Sequence, residues 1–237
     1  MTFMNRKQAG RQLAACLYDQ LFVNSISVEK DTLIVAALPR GGVPVGLEVA
    51  RKFNCRLEIL ASKKLPLPNH HEYAIGAVSA DGITALNPDI PQDPEWQSYI
   101  ESERQRLFRE TKAAEAQFYE LAGYKPASLK GKTVILIDDG VATGMTAVAA
   151  IRTARQRGAR KVIMAAPVIS PECYHHLRAY CHDVVALIVP NDLIAVGQYY
   201  ADFNQTSNEE VVSALRESTT FAAHAKTQEQ QPNVAIH

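Results

Sequence analysis

Two adjacent carboxylates with hydroxyls a few residues downstream are the groups in this chain best placed to do chemistry. They lie in the run Val134-Ile135-Leu136-Ile137-Asp138-Asp139-Gly140-Val141-Ala142-Thr143-Gly144-Met145-Thr146. Apolar residues deliver Asp138 and Asp139 to the end of a buried strand. A tight turn of small residues follows, and Thr143 and Thr146 stand where a helix begins. Free backbone N–H groups and the dipole at a helix start form an anion site, to which the two hydroxyls add donors. Two aspartates would repel a bound phosphate unless they face something else. A sugar phosphate resolves the conflict: its phosphate sits in the cradle of residues 142–146 while Asp138 and Asp139 accept hydrogen bonds from sugar hydroxyls.

Two further segments carry groups suited to an anion. Pro39-Arg40-Gly41-Gly42 closes an apolar run at residues 32–37. Paired glycines let a backbone approach an anion closely, and Arg40 can pair with phosphate oxygens. Lys63 and Lys64 follow another apolar run, residues 57–61.

The elements that must position these groups read as an alternation of strands and helices. Leu13, Leu17 and Leu21 recur at helical spacing in an amphipathic N-terminal helix. Residues 44–53 form a helix with Pro44 in its first turn. Residues 74–79 and 83–86 read as strands around an Ala80-Asp81-Gly82 turn, residues 88–94 as a loop, and residues 95–121 as a long charged helix with one face in water. The strand at 133–137 leads into the helix at 144–157, closed by Gly158. A strand at 161–166 precedes Ser170-Pro171-Glu172, which supplies an N-cap, an N1 proline and an acidic first turn. The last strand is residues 184–189. From Ser218 the chain turns polar and rich in Gln and Ala, so residues 1–217 are expected to form the domain and residues 218–237 a disordered tail. Strands that are apolar throughout and alternate with helices imply a Rossmann-like parallel sheet covered on both faces, an α/β fold. Ligands in such folds bind beyond the carboxyl ends of the strands, where all three loops meet.

The pattern from Asp138 to Thr146 resembles the PRPP (5-phosphoribosyl-1-pyrophosphate) motif of the type I phosphoribosyltransferases: apolar strand, two acids, two variable residues, then Ala/Thr-Thr-Gly-x-Thr. Gly140, where a bulkier aliphatic is common, and Met145 are mild departures. The resemblance extends from the first strand to about residue 212, and is nearest to uncharacterised members that combine PRGG with DDGxATG. It implies that Gly41, Gly42, Asp138, Asp139, Gly140, Ala142, Thr143, Gly144, Met145 and Thr146 bind PRPP. Asp138 and Asp139 would hold Mg²⁺. Arg40, the Gly41 and Gly42 amides, and Lys63 or Lys64 would stabilise departing pyrophosphate, and Leu65 to Tyr73 stands in the place of a mobile lid. A small hood over the strand ends would hold a nitrogenous acceptor, with Asn191, Asp192, Gln198, Tyr199, Tyr200 and Phe203 as candidates. Transfer in nucleotide salvage and sensing of PRPP without turnover are the two functions it leaves open.

Rival motifs fail on their spacing. Gly131-Lys132-Thr133 precedes its strand, and Pro126 stands where a P-loop needs glycine. Gly41-Gly42-Val43-Pro44-Val45-Gly46 breaks the dinucleotide fingerprint, and no GxSxG elbow occurs. Cys173, His175, His176, Cys181 and His182 crowd one helix and its end, unlike separated zinc-ligand pairs, and His70, His71 and Glu72 read as exposed loop residues. Arg104, Arg106 and Arg109 read as a solvated helix face. Lys plus Arg and Asp plus Glu both number 25, which argues against bulk attraction to nucleic acid or to an anionic membrane. Four scattered cysteines without a CxxC pair suit a reducing, cytoplasmic setting, and a homodimer is the expected assembly.

Overall fold

Strands that are apolar on both faces are stable only between two covering layers, and the chain builds that sandwich. The computed structural model describes residues 2–23, 32–68, 70–88, 90 and 93–229. In chain order the elements are α1 (Arg6–Tyr18), a π-helical turn (Asp19–Val23), β1 (Leu33–Ala37), α2 (Gly42–Phe53), β2 (Leu57–Ile59), β3 (Ser62–Leu67), β4 (His70–Ser79) and β5 (Thr84–Leu86). They continue with α3 (Pro94–Ala122), β6 (Thr133–Ile137), α4 (Met145–Gln156), β7 (Lys161–Val168), α5 (Pro171–Leu177), β8 (Asp183–Ile188), a 3-10 turn (Val196–Tyr199) and α6 (Asn208–Glu229).

The main sheet is parallel, in the order β2-β1-β6-β7-β8. Side chains alternate across it. Leu33, Val35, Ala37, Ile135 and Ile137 pack with α1, α2 and α6, while Ile34, Ala36, Val134 and Leu136 pack with α4 and α5. Each Leu, Val or Ile buried in this way contributes roughly 1.5–3 kcal/mol. The register sets Ala37 beside both Ile59 and Ile137, so the loops that leave β1, β2 and β6 emerge together. Gly10 lets α1 lie against α2, because a Cβ there would stand 2.8 Å from the Val45 carbonyl oxygen.

Two expectations from sequence fail in physically clear ways. The stretch 65–73, expected as a loop, belongs to a hairpin: β3 and β4 pair antiparallel, with Lys64 opposite Ala77 and Leu65 opposite Gly76. Pro66 sits at a register shift and faces Ala74, the kind of bulge where a strand tolerates proline. Leu65 is fully buried with Ile75 and Val78 against Ile100 and Leu107 of α3, so the three-stranded sheet and the long helix share a small core of their own. The side chains of His70, His71 and Glu72 lie outside the described residues. The tail expected to be disordered from Ser218 is helical through Glu229: Ala, Gln, Lys and Glu propagate a helix well, and Ser218 itself is buried. Residues 230–237 lie outside the described residues.

Helix α3 starts on Asp93, whose carboxylate accepts the Trp96 N–H at 3.0 Å, and stops at Gly123 in left-handed geometry. Arg104 and Arg106 pair with Glu101, Glu103 and Glu110 along its outer face. Among the described residues no helix is long and apolar enough to cross a membrane.

Candidate functional site

The carboxyl ends of β1 and β6 and the start of β3 enclose a cavity of about 450 Å³. Leu38, Pro39, Ser62, Lys63, Lys64, Asp138, Asp139, Val196, Thr146 and residues 140–144 line it. Sequence segments some eighty residues apart therefore meet as expected: the acidic pair, the helix start and the two lysines share one space. Helix α4 begins at Met145 with Gly144 as N-cap at φ +76°, and no side chain caps its N–H groups. An uncapped start beside the Thr143 and Thr146 hydroxyls has the donors to accept an anion. The turn is held from behind, where the Ser170 hydroxyl and the Cys173 thiol both donate to the Ala142 carbonyl, at 3.1 and 3.0 Å.

The two aspartates differ. Asp138 accepts the Asp139 N–H at 2.9 Å and makes no ion pair among the described residues. Burial, and then the neighbouring Asp139 charge, push its carboxyl well above the usual range. Asp139 instead receives Nε of Arg6 from α1 on Oδ2 at 2.7 Å, with side chains only 11% and 14% exposed. The Tyr200 hydroxyl donates to the Asp139 backbone carbonyl at 2.6 Å, and burial beside Asp139 raises its pKa, which keeps it a donor.

Of the Pro39–Gly42 segment, only Pro39 lines the cavity. Arg40 does not line the cavity; its guanidinium reaches Oδ1 of Asn208 at the start of α6, at 3.4 Å. The Gly42 N–H is used on the Leu38 carbonyl at 3.1 Å. Both glycines are required for a steric reason. A Cβ on Gly41 would stand 2.1 Å from Asp139 Oδ2, and one on Gly42 would stand 2.6 Å from the Ile137 carbonyl oxygen. The loop thus packs onto the acidic pair. Met145 packs, partly buried, against the core beneath α4 and does not line the cavity.

The lysines also divide. Lys63 pairs with Glu110 of α3 at 2.9 Å, whereas Lys64 has no ion pair among the described residues. Of the hood candidates, none lines the cavity; Val196 does, and its methyls fill the space a side chain on Gly140 would need, 2.3 Å away. Tyr200 and Phe203 stack on each other at 5.0 Å. Arg6, Val196 and Ser62 escaped the sequence reading. Arg6 has no local signal at all, since its partner is 133 residues away.

Among the described residues no group of three or more His, Cys, Asp or Glu side chains could hold a metal, the Cys173–His182 region included. The donors that do line the cavity are the hard oxygens of Asp138 and Asp139. Mg²⁺ is commonly held by one or two carboxylates with water and substrate phosphates, so this donor set fits Mg²⁺ better than an ion that needs an all-protein cage.

Residues 88–203 match the family model described as a phosphoribosyl transferase domain. A Mycobacterium tuberculosis protein provisionally named phosphoribosyl transferase is 37% identical over 215 residues, which is 90% of this chain and 46% of that relative. The chain thus spans about half the length of the curated relatives it matches. The crystal structure of TT1426 from Thermus thermophilus is 38% identical and superposes with a TM-score of 0.74, over 92% of this chain and 99% of that one.

Proposed function

The chain belongs to the phosphoribosyl transferase family, and from that premise we propose that it binds PRPP with Mg²⁺ and transfers the phosphoribosyl group to a nitrogenous acceptor, releasing pyrophosphate. One observation carries this reading: the uncapped start of α4, the Asp138 carboxylate and the Lys64 ammonium line the same cavity.

The 5-phosphate takes the cradle of Thr143, Gly144 and Thr146, where helix N–H groups and two hydroxyls meet its oxygens. Asp138 accepts from the ribose hydroxyls, and Asp139 contributes with its remaining oxygen. Pyrophosphate then extends toward Pro39 and the lysine pair. Lys64 carries the larger share of its charge, because Lys63 is already shared with Glu110. The reaction forms a bond from the acceptor nitrogen to the anomeric carbon and breaks the bond from that carbon to pyrophosphate, which leaves with the electron pair. When bound through Asp138 and Asp139, Mg²⁺ supplies charge neutralisation at the pyrophosphate and ribose oxygens. The β3–β4 hairpin, with Lys63 and Lys64 on it, is the element that would close over the cavity and exclude water from a charged sugar.

A second reading, PRPP binding without turnover, is favoured by the hood: among the described residues it gives the cavity Val196 and no ring on which a base could stack. Four free cysteines support a reducing cytoplasmic location, and a homodimer remains the proposed assembly. Pyrophosphate release from PRPP, assayed against a panel of nitrogenous acceptors, separates the readings. One acceptor that stimulates release supports transfer; PRPP binding with no release for any acceptor supports sensing.

A further inference from the structure

Arg6 holds a place that the proposed chemistry leaves unexplained. Its guanidinium is fixed on three sides: Nε donates to Asp139 Oδ2 at 2.7 Å, an Nη donates to the Asn204 carbonyl at 2.6 Å, and its face lies 3.8 Å from the centre of the Phe203 ring. The helix that carries it is anchored independently. Asn5 caps α1, accepting the Gln8 N–H at 2.9 Å, and Phe3 exchanges backbone hydrogen bonds with Tyr199 and Ala201, both at 2.8 Å. A long side chain ordered this completely, and only 11% exposed, holds its charge at one point where water screens it little.

That point matters because the cavity has a charge problem. PRPP is a polyanion, and two neighbouring carboxylates line the space it would fill. Of the cations at the cavity wall, Lys63 is paired with Glu110. We infer that Arg6 is a positioning residue of the PRPP site: it neutralises and orients Asp139, so that a polyanionic sugar phosphate can bind beside an acidic pair, and it ties that carboxylate to the hood. The inference rests on the PRPP reading above. Arg6 touches no reacting atom; it acts through Asp139.

The test is calorimetric titration with PRPP, in Mg²⁺ and in EDTA, of the wild-type protein, Arg6→Met, Arg6→Lys and Phe203→Leu, each checked by thermal melting. Arg6→Met is expected to weaken PRPP binding about tenfold or more. The loss should be greater in EDTA than in Mg²⁺, because a divalent cation bound with PRPP restores part of the missing charge. Arg6→Lys, which keeps the charge but not the fork, should recover part of the affinity. Phe203→Leu, on a residue 36% exposed, removes the ring beneath the guanidinium together with its stacking on Tyr200, and should weaken binding by a smaller factor, about threefold. If Arg6→Met does not fold, Phe203→Leu decides. Wild-type affinity in folded Arg6→Met, or equal losses in the Met and Lys variants regardless of Mg²⁺, overturns the inference while leaving the PRPP reading intact. Absence of PRPP binding by the wild-type protein overturns both.

Discussion

The chain buries carboxylates in two places and treats them differently. Behind the hairpin sheet, both oxygens of Glu115 are engaged: one accepts the Ala61 N–H at 2.8 Å, and the other receives Arg157, which also forks onto Asp81. At the cavity, Asp138 accepts its neighbour's N–H and has no ion pair among the described residues, and its carboxyl is pushed upward by burial and by Asp139. A buried acid completed by the protein ties elements together, here the end of α4 to α3 and to the β4–β5 turn. One left incomplete at a cavity wall is held ready for something that binds.

Four outcomes would break or sharpen that contrast. Arg157→Ala should cost the most stability, about 3 kcal/mol, because it strands Glu115 as an unpaired buried charge. Denaturant unfolding measures this, and PRPP affinity should be unchanged. Asp138→Asn and Thr143→Ala should behave inversely. Each removes a hydrogen bond to a charged group, worth about 1.5–3 kcal/mol, so PRPP affinity should fall roughly ten- to a hundredfold, with unfolding free energy held within about 1 kcal/mol. A stability loss without a binding loss would make Asp138 another structural acid. Gly140→Val should cost about 1–2 kcal/mol by overpacking against Val196, and adding Val196→Ala should recover most of it in thermal melts.

The smallest effect concerns pH. Glu58, buried beneath Tyr119 and Arg56, has a carboxyl raised above 4.5, chiefly by burial. Just above that value the native state binds more protons than the unfolded chain, so stability is greatest below it and falls as pH rises through the folded pKa. Glu58→Gln should flatten that slope, as read from unfolding free energies at a series of pH values. An unchanged slope would place the titrating acid elsewhere.

Much of the fold was legible because its signals are local. The continuous apolar run of β6 fixed its bounds at Thr133 and Ile137, and proline and glycine punctuated α3. The acidic pair and the helix start after β6 were legible for the same reason, as one contiguous strand–turn–helix. The β3–β4 hairpin was not, because Pro66 and the lysines mask its alternation and the partner of Leu65 is a helix some forty residues on. Arg40 has the right chemistry and place in the chain, yet its guanidinium lies 3.4 Å from Asn208, 168 residues further along. Glycines at 41 and 42 suggested room for an anion, while the structure uses that room for Asp139 and the end of β6. Direction and partnership across more than a hundred residues leave no trace in spacing, which is why Arg6 went unread.

The most direct test of the central claim is calorimetric titration of the purified protein with PRPP, with and without Mg²⁺, and again on Thr143→Ala. Saturable, Mg²⁺-dependent binding by the wild-type protein that falls at least tenfold in the variant is the predicted result. No binding of PRPP under either condition would contradict it, and would assign the cradle to another sugar phosphate.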